Sequence, residues 1–182
     1  MINHLQLSLI RRPMKEERMT KLLRELVRDS RRSDRELAKA IGASQPTVTR
    51  NRRLLEEYIR SYTIVPEFSK IGYEILAMTF AKTKAYNKED VEKKMDLAKE
   101  WVMKRPNIFF ASEGEGLGKD MVTISIHRDY SNYAEFMRDY TIKFAEFITD
   151  VQSFIVSLKT GKILKPFDLK YLSEDIDAAS RS

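Results

Sequence analysis

Residues 33–56, SDRELAKAIGASQPTVTRNRRLLE, decide how the first third of the chain folds. Ser33 followed by Glu36 is a capping box, so a helix can begin at Ser33 with its first amides satisfied. Leu37, Ala38 and Ile41 give that helix one apolar edge. Gly42 stands where the helix must stop and the chain must turn with positive φ, which glycine does most cheaply. Ser44 is a second N-cap, and Pro46 is tolerated because first-turn amides have no intrahelical partner. Val48, Leu55 and Ile59 then line one side of a second helix. At about 100° per residue, Pro46, Thr49, Arg50 and Arg53 fall on the other. The spacing predicts two short helices joined by a tight turn, the second presenting polar and basic residues outward. That is a helix-turn-helix.

The charge distribution points the same way. Residues 1–62 hold 15 Lys+Arg against 8 Asp+Glu, a net of +7, whereas residues 63–182 hold 18 against 19, a net of −1. The basic residues also change type, from 12 Arg and 3 Lys in the first part to 4 Arg and 14 Lys in the second. Arginine suits bidentate contacts to phosphate and guanine, whereas scattered lysine is typical of a solvated surface. One part of the chain is therefore suited to a polyanion and the other is neutral. Charge alone does not separate DNA from RNA or acidic lipid; the helix-turn-helix selects the DNA major groove.

Composition narrows the remaining classes. With 182 residues, 42% of them hydrophobic and 33% charged, the chain has room for one ordinary globular domain and a smaller one. Cysteine is absent, which excludes disulfides and thiolate metal sites. His4 and His127 have no motif around them and read as surface or structural histidines, so no metal or cofactor is expected. No nucleophile–base pair stands out, so no catalytic residue is assigned. The apolar run at the start, MINHLQLSLIRR, has its charges after it, the reverse of a secretory signal. No stretch is long enough to span a membrane, and a cytoplasmic, nucleoid-associated location is expected.

Outward from the opening stretch, residues 1–12 read as a strand or a loosely ordered arm, with Leu5, Leu7 and Leu9 alternating. Met19, Leu22, Leu23, Leu26 and Val27 recur at helical spacing, so residues 13–65 make a three-helix unit completed by a wing hairpin at 59–65. A linker occupies 66–74. The period then changes. Residues 75–82 read as a strand; Val91, Met95, Ala98 and Val102 as a helix ended by Pro106; 109–113 and 121–127 as two strands. Tyr133, Phe136, Met137, Tyr140, Phe144, Phe147 and Ile148 form an aromatic stripe on the next helix, either core over a sheet or an interface. Residues 151–158 are the fourth strand. The order βαββαβ is the ferredoxin-like arrangement, so the chain is predicted to be α+β. Ile163, Leu164, Phe167, Leu169 and Tyr171 suggest a further extended segment on that unit, which closes at 172. Residues 173–182 read as a solvated tail.

The segment GEGLGKD at 114–120 is not a phosphate loop. Glu113 stands where the first glycine is required, and Asp120 where a serine or threonine should follow Lys119. Between two strands it reads as a hairpin turn, with a ligand-contacting role left open.

A winged helix-turn-helix followed by βαββαβ resembles the Lrp/AsnC (feast/famine) family of prokaryotic transcription regulators. The likeness covers residues 14–172 and is strongest in KLLRELVRDSRRSDRELAKAIGASQPTVT, then Leu55-Glu56, then IRSYTIVPEFSKIGY. Asn51-Arg52 depart from the family's Arg-Val/Ile pair, the glycine before the wing is absent, and the family's "G.YD" turn is reduced to Gly118-Lys119-Asp120. The resemblance implies dimers paired through C-terminal sheets, often assembled further, that bind pseudo-palindromic operators. It also implies an amino-acid effector held between C-terminal domains.

The expectation is a sequence-specific DNA-binding regulator, a homodimer or larger, with a low-specificity architectural DNA-binding protein as the alternative. Gln45, Pro46, Thr49, Arg50 and Arg53 are expected to face base edges. Arg31, Arg32, Ser44, Thr47, Arg52 and Arg60 are expected on the phosphate backbone. A small effector, if sensed, is expected near Gly114, Gly116 and Gly118, whose amides suit a carboxylate, with Asp120 on an ammonium group.

Overall fold

A computed structural model of the chain describes residues 17–84 and 88–179; the arm at 1–12 lies outside them. The described residues up to Val65 form one unit with those from Pro166 onward, and Pro66–Lys165 form a second.

The first unit is built on α1 (Glu17–Arg28), α2 (Asp34–Ile41) and α3 (Gln45–Leu55). Met19, Leu22 and Leu26 of α1 close over Leu37 and Ala38 of α2 and Val48 and Leu55 of α3, with Leu23, Ile41 and Ile59 at the margin. The helix ends are those the sequence predicts. Glu36 N donates to Ser33 Oγ at 3.3 Å, and Ser33 N to Glu36 Oε2 at 2.8 Å, the two halves of a capping box. Gly42 takes φ 65° and turns the chain, and Ser44 caps α3 with Pro46 in its first turn.

Two expectations for this unit are corrected. Residues 59–67 contain no strand, so the wing hairpin is absent. A hairpin needs a turn between two runs. The segment 59–65 has no glycine or asparagine to supply positive φ, and Pro66 removes a ladder donor. Secondly, the chain after Pro166 is neither an extended segment on the C-terminal unit nor a solvated tail. Asp168 accepts the Lys170 amide at 2.9 Å and opens a 3-10 turn, Leu169–Tyr171, which runs into α6 (Leu172–Ala179). This helix packs on α1, with Ser173 buried and Ile176 half-buried on its inner edge and Glu174 and Asp175 outward. One short turn of stripe was too little to announce a helix.

The second unit carries β1 (Ile75–Thr83), α4 (Lys88–Met103), β2 (Ile108–Gly116), β3 (Lys119–His127), α5 (Tyr130–Lys143) and β4 (Ile148–Ser157). The antiparallel sheet has the order β2-β3-β1-β4, so the ferredoxin-like reading holds. One face lies under the helices. There, Ala77, Thr79 and Ala81 are small enough to admit Trp101 of α4 and the aromatic stripe of α5. Trp101 meets Phe136, Tyr140 and Phe144 at centroid distances of 5.3, 5.4 and 5.5 Å. The stripe is thus core. It extends past its helix: Phe144 leaves helical geometry at φ −110°, Phe147 N donates back to Phe144 O at 2.9 Å, and Ile148 already opens β4.

The opposite face of the sheet is apolar and carries no helix of this unit among the described residues. Met78 of β1 pairs with Ile124 and Phe154, Phe80 with Val122, and Ile124 also with Phe110. Phe110 and Phe154 stay 49% and 63% exposed, which large aromatics on an unpartnered strand face seldom do.

His127 ends β3 fully buried, edge-on to Tyr133 and Phe136, with Nε2 2.9 Å from Ser125 Oγ and Nδ1 unpartnered among the described residues. Burial holds its pKa below the ordinary histidine value. As pH falls below about 6.5, the unfolded chain takes up a proton that the folded chain refuses, so the native state loses stability. Thermal melts at pH 7.5 and 5.5 should show this drop in the wild type and a smaller one in His127→Gln, which keeps a partner for Ser125. Equal drops in both would assign the acid sensitivity elsewhere.

Candidate nucleic-acid interface

On α3 the buried edge carries Val48, Asn51 and Leu55, which turns the other faces outward. Gln45, Pro46, Arg50 and Arg53 are exposed, and neither arginine makes an ion pair among the described residues. These four side chains are free to meet a ligand. Arg60 and Arg35, the latter on α2 and unnoticed in the sequence, are likewise exposed without an acidic partner among the described residues. At the start of α3, Ser44 Oγ lies 2.8 Å from Thr47 Oγ1 beside the helix's positive dipole end. Arg31 is open to solvent, and Asp29 Oδ1 accepts both its amide at 3.0 Å and its Nε at a long 3.5 Å.

Three of the expected contact residues are engaged within the protein instead. Thr49 Oγ1 donates to Asp34 Oδ2 at 2.6 Å, the shorter of its two contacts and so the one that takes its single proton. Arg52 Nη1 donates to Asp34 Oδ1 at 2.6 Å, and Nη2 to Ser30 O at 3.4 Å. Arg32 reaches the buried carboxylate of Glu25, which Arg24 and Arg28 also face at 3.2 and 3.3 Å. The charge at position 52, where the family has Val or Ile, is thereby compensated. Asp34 fastens the first turn of α2 to the middle of α3, and Glu25 gathers the arginines at the end of α1. Neither role was legible, because Asp34 and Arg52 lie 18 residues apart across a turn and Glu25 reads as surface.

The hydrogen bonds from Thr49 and Arg52 hold the Asp34 carboxyl below its usual range. A carboxylate depressed in the fold stabilises above its unfolded pKa of about 3.9 and loses that contribution as pH falls through its folded value. Asp34→Asn should therefore lower the melting temperature at pH 7 by several degrees, about 1–3 kcal/mol for unpairing a part-buried arginine, and by less at pH 3. A pH-independent difference would mean the contact is not carried by charge.

The expected effector turn is a hairpin, with Leu117 at φ 53° and Gly118 at φ 70° joining β2 to β3. Gly114 and Gly116 lie in β2 and line a cavity of about 190 Å³ with Phe80, Lys119 and Met121. Asp120 is not available for an ammonium ligand as expected. Its carboxylate accepts Thr83 N at 2.9 Å, Thr83 Oγ1 at 3.1 Å and Lys82 Nζ at 3.1 Å, pinning the end of β1 to β3. Among the described residues no cluster of His, Asp or Glu could hold a metal ion, and no helix is long and apolar enough to cross a membrane.

Comparison with known proteins agrees with this geometry. Residues 20–56 match the AsnC-type helix-turn-helix domain, the span from α1 through α3. The HTH-type transcriptional regulator LrpC of Bacillus subtilis (strain 168) is 29% identical over 143 residues, covering 78% of this chain and 93% of that protein. A transcriptional regulator from Neisseria meningitidis, solved as a complex with L-Met, superposes with a TM-score of 0.68 at 20% identity, covering 87% of this chain and 99% of its own. An AsnC family transcriptional regulator from Agrobacterium tumefaciens gives 0.66 at 22%, covering 86% and 99%. These structures share the fold. Its AsnC-type helix-turn-helix, its ferredoxin-like unit and its similarity to LrpC together make this chain similar to the Lrp/AsnC transcriptional regulators.

Proposed function

We propose that this regulator recognises a pseudo-palindromic operator as a dimer, with α3 in the major groove of each half-site. Gln45, Pro46, Arg50 and Arg53 read base edges; Ser44, Thr47, Arg31, Arg60 and Arg35 hold phosphates. Thr49, Arg52 and Arg32 support this surface from behind rather than contacting bases or backbone first. The observation that carries the reading is the pair of arginines, Arg50 and Arg53, unpaired among the described residues on the exposed side of a capped second helix. In this reading the open sheet face joins the two copies, since Phe110 and Phe154 stay largely exposed among the described residues. A chromosomal partner places the protein with the nucleoid in the cytoplasm. The function is regulatory and non-catalytic, with effector control through the C-terminal unit.

Footprinting on the chromosome tests this. Discrete protected sites containing inverted half-sites support an operator-binding regulator. Even occupancy that follows only local base composition would support an architectural protein instead, since specific binders exceed random DNA by about 10³ or more.

A further inference from the structure

Between α4, α5 and the sheet lies a cavity whose polar lining is rich in donors. Lys94 is only 7% exposed, and Nζ donates to Thr83 Oγ1 at 2.8 Å. Two of its three N–H groups have no acceptor among the described residues, although a buried ammonium is costly without one. The nearest compensation is second-hand, because the Thr83 hydroxyl passes its own proton to Asp120. Trp101, in the same wall, has its buried Nε1–H unpartnered among the described residues. Tyr140 is a third donor: burial, and then the charge of Asp120, push its phenol up to about 12. Apart from Thr123, the rest of the lining is apolar, including Met95, Ala98, Met121, Phe144, Phe147 and Ile148.

An ammonium in an apolar chamber is the complement of an anion with an apolar body. We propose that this cavity binds a small monocarboxylate, its carboxylate on Lys94 and its tail among Met95, Met121 and Phe147. The open volume is about 30 Å³, room for roughly one water, so the tail enters by displacing the unbranched Met95 and Met121 side chains, which repack readily. The inference rests on the effector reading above for its purpose, but the binding itself does not depend on DNA.

The experiment has a built-in reporter, since Trp101 is the only tryptophan in the chain. The full chain is titrated with acetate, butyrate and hexanoate, with hexanamide as the neutral counterpart, while Trp101 emission is followed. The expected result is a saturable change that tightens at least tenfold from acetate to hexanoate, is at least tenfold weaker for hexanamide, and disappears in Lys94→Met. Hexanoate should also raise the melting temperature of the wild type. If Lys94→Met does not fold, the acid–amide comparison in the wild type decides. No saturable response to hexanoate, or equal responses to acid and amide, would overturn the site. A negative titration with DNA binding intact leaves the DNA-binding reading standing, whereas loss of DNA binding with a positive titration removes only the effector's purpose.

Discussion

Arg50→Ala or Arg53→Ala is expected to weaken binding to the specific operator by about 1–3 kcal/mol, roughly 5- to 150-fold, while leaving the melting temperature unchanged. Both side chains are exposed and unpaired among the described residues, so removing them disturbs no packing. Each guanidinium can meet guanine through two parallel hydrogen bonds, and a truncated side chain cannot. Random DNA should lose much less, so the ratio of the two affinities falls. Arg31→Ala should act differently: it should weaken specific and random DNA about equally and reduce the salt slope by about one. If Arg50 and Arg53 substitutions leave the specific affinity intact, α3 is not the groove-reading helix.

The second large effect concerns assembly. Phe154→Glu should convert a dimer to a monomer without unfolding it. Phe154 is 63% exposed in the isolated chain, so a glutamate there is solvated and the fold loses little. In the proposed dimer the same carboxylate would be buried without a partner against the second copy's apolar sheet face, a penalty of about 2–5 kcal/mol for each such charge. A two-fold interface incurs it twice. Light scattering at micromolar concentration should read the change in mass, with circular dichroism unchanged. Operator affinity should fall with it, because two linked half-site contacts become independent ones. A Phe154→Glu chain that stays dimeric would move the interface off this face.

Much of the fold was legible because its signals are local. The capping box at Ser33 and Glu36, the turn at Gly42 and the cap at Ser44 each act within four residues, and all are present. The apolar run at 75–82 and the alternation in 121–127 likewise marked β1 and β3, the latter because period two survives wherever one sheet face is buried. What failed was long-range or weakly patterned. The β-branched run at 59–65 has strand composition but finds no partner strand, and composition cannot supply one. Helix α6 has only Ser173 and Ile176 to mark its inner edge, so its docking on α1, some 150 residues earlier, was hidden. Outward spacing put Arg50 and Arg53 on the exposed side of their helix, yet it could not show that Arg52 is held by Asp34 from another helix. Lys94 lies beside the apolar stripe of α4, where a long stem normally carries its charge to water; only the fold shows that it does not.

The central claim, that α3 reads sequence as part of a two-fold assembly, is tested most directly by selection of bound duplexes from a randomised pool. The wild-type chain should enrich an inverted repeat whose half-sites are centred about one helical turn, roughly 10–10.5 base pairs, or a multiple of it apart. Recovery of sequences with no shared motif, bound as tightly as the starting pool, would contradict it.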